Sequence, residues 1–195
     1  LRSRNRLDKQ LLDTLPFKPT RAQRRVSADV AADLSQPQPM LRLIQGDVGS
    51  GKTLVAALAA CQVLQAGYQV AMMAPTELLA EQHFSNFTRW LEPFGIQVGW
   101  LSGKQKGKAR QAAEQAVRHG STQLVIGTHA LFQDSVQCTK LGLVIIDEQH
   151  RFGVDQRLAL REKGVAGMAP HQLVMTATPI PRTLAMSVYG DLDTS

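Results

Sequence analysis

The run Gly46-Asp47-Val48-Gly49-Ser50-Gly51-Lys52-Thr53 sets three glycines, a lysine and two hydroxyls within eight residues. Glycine permits positive φ, so successive backbone N–H groups of such a loop can turn inward on one anion. A helix starting near Lys52 would add the positive end of its dipole at the same point. The spacing matches G-x-x-x-x-G-K-[ST], in which the lysine reaches the β- and γ-phosphates and the hydroxyl ligates Mg²⁺. Gly46, Asp47, Val48, Gly49, Ser50, Gly51, Lys52 and Thr53 are therefore candidate nucleotide contacts. Leu143-Val144-Ile145-Ile146 reads as a buried strand that ends on Asp147-Glu148. Open parallel sheets bind ligands at the carboxyl ends of their strands. Asp147 is thus placed to hold Mg²⁺ through water, with Thr53 as the other metal ligand, and Glu148 to orient and polarise an attacking water. Phosphoryl transfer depends on positioning and charge more than on covalent help. Lys52, Asp147 and Glu148 are the candidate catalytic residues of an ATP-hydrolysing site.

The elements that must hold these residues follow from periodicity and punctuation. Residues 1–14 predict a short basic helix with Leu7, Leu11, Leu12 and Leu15 at helical spacing, closed by Pro16 and Pro19. Thr20 can cap a helix over about 21–34. Strands are expected over 40–45, 69–73, 98–101, 124–126, 143–146 and 172–176. Helices are expected from the glycine loop to near Gly67, after Ala74-Pro75-Thr76, within 103–119, and around 156–163 and 181–188. The helix after Thr76 carries Leu79, His83, Phe87, Trp90 and Leu91 along one stripe. Short apolar strands alternating with helices predict an α/β domain, a mostly parallel sheet with helices on both faces.

Composition narrows the surroundings. The 195 residues carry a net charge of +6, and residues 1–25 alone hold eight Lys or Arg against two Asp. The rest is balanced, apart from a basic cluster of Lys104, Lys106, Lys108 and Arg110. Such clusters either follow a phosphate backbone or simply form a solvated surface. Aromatic residues make up 5% of the chain, which argues against a base-stacking platform for single strands. No apolar run is long enough to span a membrane, and the basic N-terminus has no apolar segment behind it. Cys61 and Cys138 have neither metal-site nor disulfide-framework spacing. A cytoplasmic setting is expected. The first residue is Leu1 rather than Met, so a piece of a longer protein is expected.

A family resemblance rests on the motifs as a set. The glycine loop, Asp147-Glu148-Gln149-His150 and Thr176-Ala177-Thr178 together resemble a superfamily 2 helicase core. Ala74-Pro75-Thr76-Glu77-Leu78-Leu79-Ala80-Glu81-Gln82-His83 resembles its DNA-contacting motif after the second strand. Gly127-Thr128-His129-Ala130-Leu131-Phe132 resembles a later one. Gln149 departs from the Asp-Glu-Ala-Asp of RNA helicases. It departs too from the Asp-Glu-Glu-His of transcription–repair coupling translocases, which share the following Arg151-Phe152-Gly153. With Gly103-Lys104-Gln105-Lys106-Gly107-Lys108 and Thr178-Pro179-Ile180-Pro181-Arg182-Thr183, the set is similar to the RecG family of bacterial branched-DNA helicases over about residues 15–195.

That resemblance implies a RecA-like P-loop NTPase domain over 16–195, preceded by a basic connector helix over 1–15. It implies ATP and Mg²⁺ as cofactors, and Phe17, Thr20 and Gln23 as the adenine-reading segment. Gln149, His150, Thr176 and Thr178 would couple the ATP and DNA sites. Pro75, Thr76, Glu77, Gly103, Lys104, Thr128 and His129 would contact DNA, although Thr76 is equally suited to a plain helix cap. The expected partners are branched double-stranded DNA, and a second RecA-like domain and a wedge domain of the same protein, neither of which is in these residues. A monomer at the bacterial nucleoid is expected, remodelling forks and Holliday junctions in repair and recombination. Two other readings stay open. One is a nucleotide-gated DNA-binding module without turnover, the other a double-strand translocase of the transcription–repair coupling type.

Overall fold

The computed structural model describes residues 6–46, 51–132, 135–148, 170–176 and 189–191. The expected helices at 156–163 and 181–188 lie outside them. Among the described residues seven strands form one sheet: β1 (Leu41–Gln45), β2 (Gln69–Met73), β3 (Val98–Leu101), β4 (Leu124–Gly127), β5 (Leu141–Glu148), β6 (His171–Thr176) and β7 (Tyr189–Asp191). Their order is β3-β4-β2-β5-β6-β1-β7, and each neighbouring pair runs parallel. The helices are α1 (Leu7–Thr14), α2 (Arg21–Leu34), α3 (Lys52–Gln65), α4 (Glu77–Leu91) and α5 (Gly107–Arg118). Strand β7 was not expected: three residues are too few to carry an alternation signal.

Alternate strand residues point to opposite faces, and the buried side chains divide accordingly. Val70, Met72, Leu143, Ile145, Leu124 and Ile126 join α2, α3 and α4 in one core. Ala71, Met73, Val144, Ile146 and Val125 join Val117 of α5 in the other. Helix α1, which holds Lys9 against Asp8 and Asp13 and so is not the basic helix expected, packs into the first core through Leu7 and Leu11, and the Leu7 amide donates to Gln65 Oε1 at 2.9 Å. Cys61 lies fully buried in α3, where burial pushes its thiol up to about 12.

At the amino ends of the strands, the Met40 amide donates to His171 Nδ1 at 2.7 Å. This bond requires the Nδ1 lone pair, and so the neutral ring. Burial pushes the His171 pKa below its ordinary 6.5, and the Asp33 carboxylate opposes that push. The unfolded chain therefore binds the proton first as pH falls. Stability from this group is complete above the unfolded value and is lost as pH drops below about 6.5. The melting temperature should accordingly fall between about pH 7 and pH 5. His171→Asn supplies a carbonyl acceptor that does not titrate, so it should flatten that fall. An Asn variant with an undiminished pH slope would dismiss His171 as the cause.

Candidate nucleotide and polynucleotide site

The strand registers align the carboxyl ends into a single edge. Met73 of β2 lies level with Gly127 of β4 and Ile146 of β5, and Gly127 with Leu101 of β3. Glu148 lies level with Thr176 of β6, and Thr176 with Gln45 of β1. Across the sheet, the segments leaving this edge are Ser102-Gly103, Thr128-His129, Thr76-Glu77, Asp147-Glu148, Thr176 and then the glycine loop. Candidate polynucleotide contacts therefore occupy the β3-β4-β2 half, and candidate nucleotide contacts the β5-β6-β1 half.

In the nucleotide half, the Gly46 amide donates to Thr176 carbonyl at 3.1 Å, extending the β1–β6 ladder by one residue. Asp47, Val48, Gly49 and Ser50 lie outside the described residues. The loop re-emerges at Gly51, the N-cap of α3, with φ 85° and ψ 24°. A side chain there would be strained by that backbone, and its Cβ would land on Gln23 Nε2. Lys52 and Thr53, half-buried, open α3. Gln23 is held by a reciprocal cap: its amide donates to Thr20 Oγ1 at 3.1 Å, and its Oε1 accepts from the Thr20 amide at 2.8 Å. Thr20 and Gln23 thus lie against the end of the glycine loop. Phe17, three residues before Thr20, does not share a cavity with them. It is 49% exposed and lines a cavity of about 410 Å³ with Arg89, Trp90 and Phe94, whose walls include neither Thr20 nor Gln23.

Asp147 lies two strands from β1, roughly 10 Å across at ~4.8 Å per strand. Its side chain is 17% exposed, and its Oδ2 is 2.7 Å from His83 Nε2. Glu148 follows at the tip of β5, and Thr176, buried, ends β6 beside it. Gln149, His150 and Thr178 lie outside the described residues. Asp147 and Thr53 offer hard oxygen donors, the kind Mg²⁺ accepts alongside phosphates and water. The absence of a side chain at position 51 lets the Gln23 amide lie against the head of the loop. The residues present fit a magnesium nucleotide.

In the polynucleotide half, Thr76 is exposed and caps α4, its hydroxyl accepting from the Leu79 amide at 3.2 Å. Such a cap contributes about 1 kcal/mol to helix stability. The next residue, Glu77, ties three segments together. Its carboxylate accepts from Ser102 Oγ at 2.7 Å, from the Gly103 amide at 3.3 Å and from Thr128 Oγ1 at 3.3 Å. A carboxylate would repel a phosphate. Glu77 therefore organises this surface, while Pro75, Thr76, Gly103, Lys104 and His129 form its outer part. Lys104, Lys106 and Lys108 are exposed. Arg110 leaves that basic set: its guanidinium bonds Glu114 at 2.7 Å, Ser102 carbonyl at 2.9 Å and Ala130 carbonyl at 3.4 Å. The same bond holds the Glu114 carboxyl below the usual carboxylate range. The basic run 104–110 thus divides, the lysines facing solvent and the arginine fastening the loop from inside.

Sequence reasoning missed Ser102 and the pairing of His83 with Asp147. The signal for the second was a histidine in an otherwise apolar stripe. Ser102 had no local signal, since its partner Glu77 is distant in the chain.

The chain is similar to known helicases in sequence and in fold. The chain is 66% identical over 190 residues to the ATP-dependent DNA helicase RecG of Haemophilus influenzae, matching 97% of this chain and 27% of that protein. It is 64% identical over 196 residues to the RecG of Escherichia coli K12, matching 100% of this chain and 28% of that protein. The chain thus spans about a quarter of the length of these curated relatives. A solved structure of RecG bound to a three-way DNA junction superposes with a TM-score of 0.81 at 44% identity, covering 96% of this chain and 25% of that one. A Saccharomyces cerevisiae Dbp5 complex containing ADP shares the fold, with a TM-score of 0.67 at 19% identity over 90% of this chain and 47% of that one. Among the described residues, no helix is long and apolar enough to cross a membrane. The DEAD/DEAH box helicase family model matches residues 20–187, most of the chain, and the chain belongs to that family.

Proposed function

We propose that these residues form the ATP-binding motor domain of a RecG-type DNA helicase. In this reading 16–195 are the first RecA-like domain and 1–15 a connector. A second motor domain and a wedge domain, elsewhere in the protein, would complete a monomeric enzyme acting on branched DNA in the bacterial cytoplasm. The observation that supports it most is the shared carboxyl edge, where Thr20, Gln23, Gly51, Asp147 and Glu148 lie beside the surface that Glu77 organises.

The chain's own residues divide the work. Main-chain amides of 46–51 and the N-terminus of α3 receive phosphate oxygens. Lys52 neutralises charge on the β- and γ-phosphates. Mg²⁺, held by Thr53 and through water by Asp147, would supply further neutralisation of the phosphates. Glu148 orients the attacking water. Thr20 and Gln23 read the base, and Phe17, half-exposed three residues before Thr20, offers a ring to pack on it. Gln149, His150, Thr176 and Thr178 relay nucleotide state to the polynucleotide half. There the α4 terminus and Lys104 meet backbone phosphates without reading sequence.

The test compares ATPase stimulation of the full-length protein by a synthetic fork, plain duplex and single-stranded RNA. The fork should stimulate most and RNA least. Equal stimulation by plain duplex would favour a translocase of the coupling type, and preference for RNA would overturn the reading.

A further inference from the structure

His83 sits in α4 among Ala80, Phe87 and Leu91, all fully buried. A leucine would fill that stripe at less cost, because a buried polar group must find partners. Among the described residues His83 finds one. Its Nε2 meets Asp147 Oδ2 at 2.7 Å, while its Nδ1 is buried with no hydrogen-bond partner among the described residues. Nδ1 has nothing to donate to, so the ring carries its hydrogen on Nε2 and donates it to the carboxylate. Phe87, one turn along, stands edge-on to the ring at 6.5 Å and 71°, which limits its rotation. Side-chain exposures of 9% and 17% keep water from competing strongly for the bond.

We propose that His83 is a positioning residue for ATP hydrolysis: it holds Asp147 Oδ2 so that Oδ1 alone faces the metal-bound nucleotide. The inference rests on the motor-domain reading above. Groups that orient a metal-binding carboxylate act through its geometry. The bond to His83 fixes one oxygen of the Asp147 carboxylate, whose side chain is 17% exposed. A half-satisfied histidine inside an apolar stripe is explained by that task and is not explained by packing.

The experiment uses the full-length protein with His83→Ala and His83→Gln, the latter keeping an N–H donor at similar reach. Binding of Mn²⁺ to the protein–ADP complex is followed by electron paramagnetic resonance, beside kcat and KM for ATP with saturating fork DNA. His83→Ala should weaken Mn²⁺ binding and lower kcat by about 10–100-fold, with KM for ATP little changed. His83→Gln should recover most of both. An Ala variant that matches wild type in Mn²⁺ affinity and kcat would overturn the proposal, as would a Gln variant as impaired as Ala. If the Ala variant does not fold, wild-type-like metal binding by the Gln variant supports the proposal and Ala-like loss defeats it. Failure of the wild-type protein itself to bind Mn²⁺–ADP or hydrolyse ATP would instead defeat the motor-domain reading.

Discussion

Lys52→Ala in the full-length protein will lower ATP turnover by at least about 10²–10³-fold, the effect of removing one preorganised donor from developing charge. It will leave binding to a synthetic fork close to wild type. The two outcomes separate because Lys52 opens α3 in the nucleotide half of the edge, on the far side of β5 and β6 from the segments that Glu77 gathers. The fold will survive, since the lysine is half-buried at a helix N-terminus and contributes nothing to either core. Fork binding by electrophoretic shift and phosphate release on the same preparation check both halves. Loss of DNA binding in parallel with turnover would contradict the division of the edge.

The larger effect concerns these 195 residues on their own. They will bind magnesium ATP weakly and hydrolyse it about 10³–10⁵-fold more slowly than the full-length protein with DNA, the factor associated with an arginine supplied across a cleft. The candidate nucleotide residues lie along the carboxyl edge of the sheet, and the chain spans 27–28% of the two RecG relatives compared above. Cations from a second motor domain would complete the charge stabilisation that Lys52 begins. Single-turnover hydrolysis by this chain beside the intact protein measures the ratio. DNA-stimulated turnover by the chain alone at the intact rate would defeat the argument.

The sequence alone was enough for features whose physics is local. The glycine spacing of 46–53 specifies a backbone that can wrap an anion, wherever the loop lies. Thr20 and Thr76 marked helix starts that the structure places at Arg21 and Glu77, because a hydroxyl cap acts within three residues. Strand period and length gave β2 and β3 their observed bounds of Gln69–Met73 and Val98–Leu101. Tertiary structure decided the meetings across the chain. His83 reaches Asp147 only because β2, which leads into α4, lies beside β5. Glu77 gathers Ser102 and Thr128 only because β2, β4 and β3 end level. Arg110 turned inward toward Ser102 and Ala130 while three neighbouring lysines stayed in solvent. Phe17 took a place beside Trp90. A ring or a charge states what it can bind, but strand order and register determine which partner comes within ~3 Å of it, and those are non-local properties of the whole sheet.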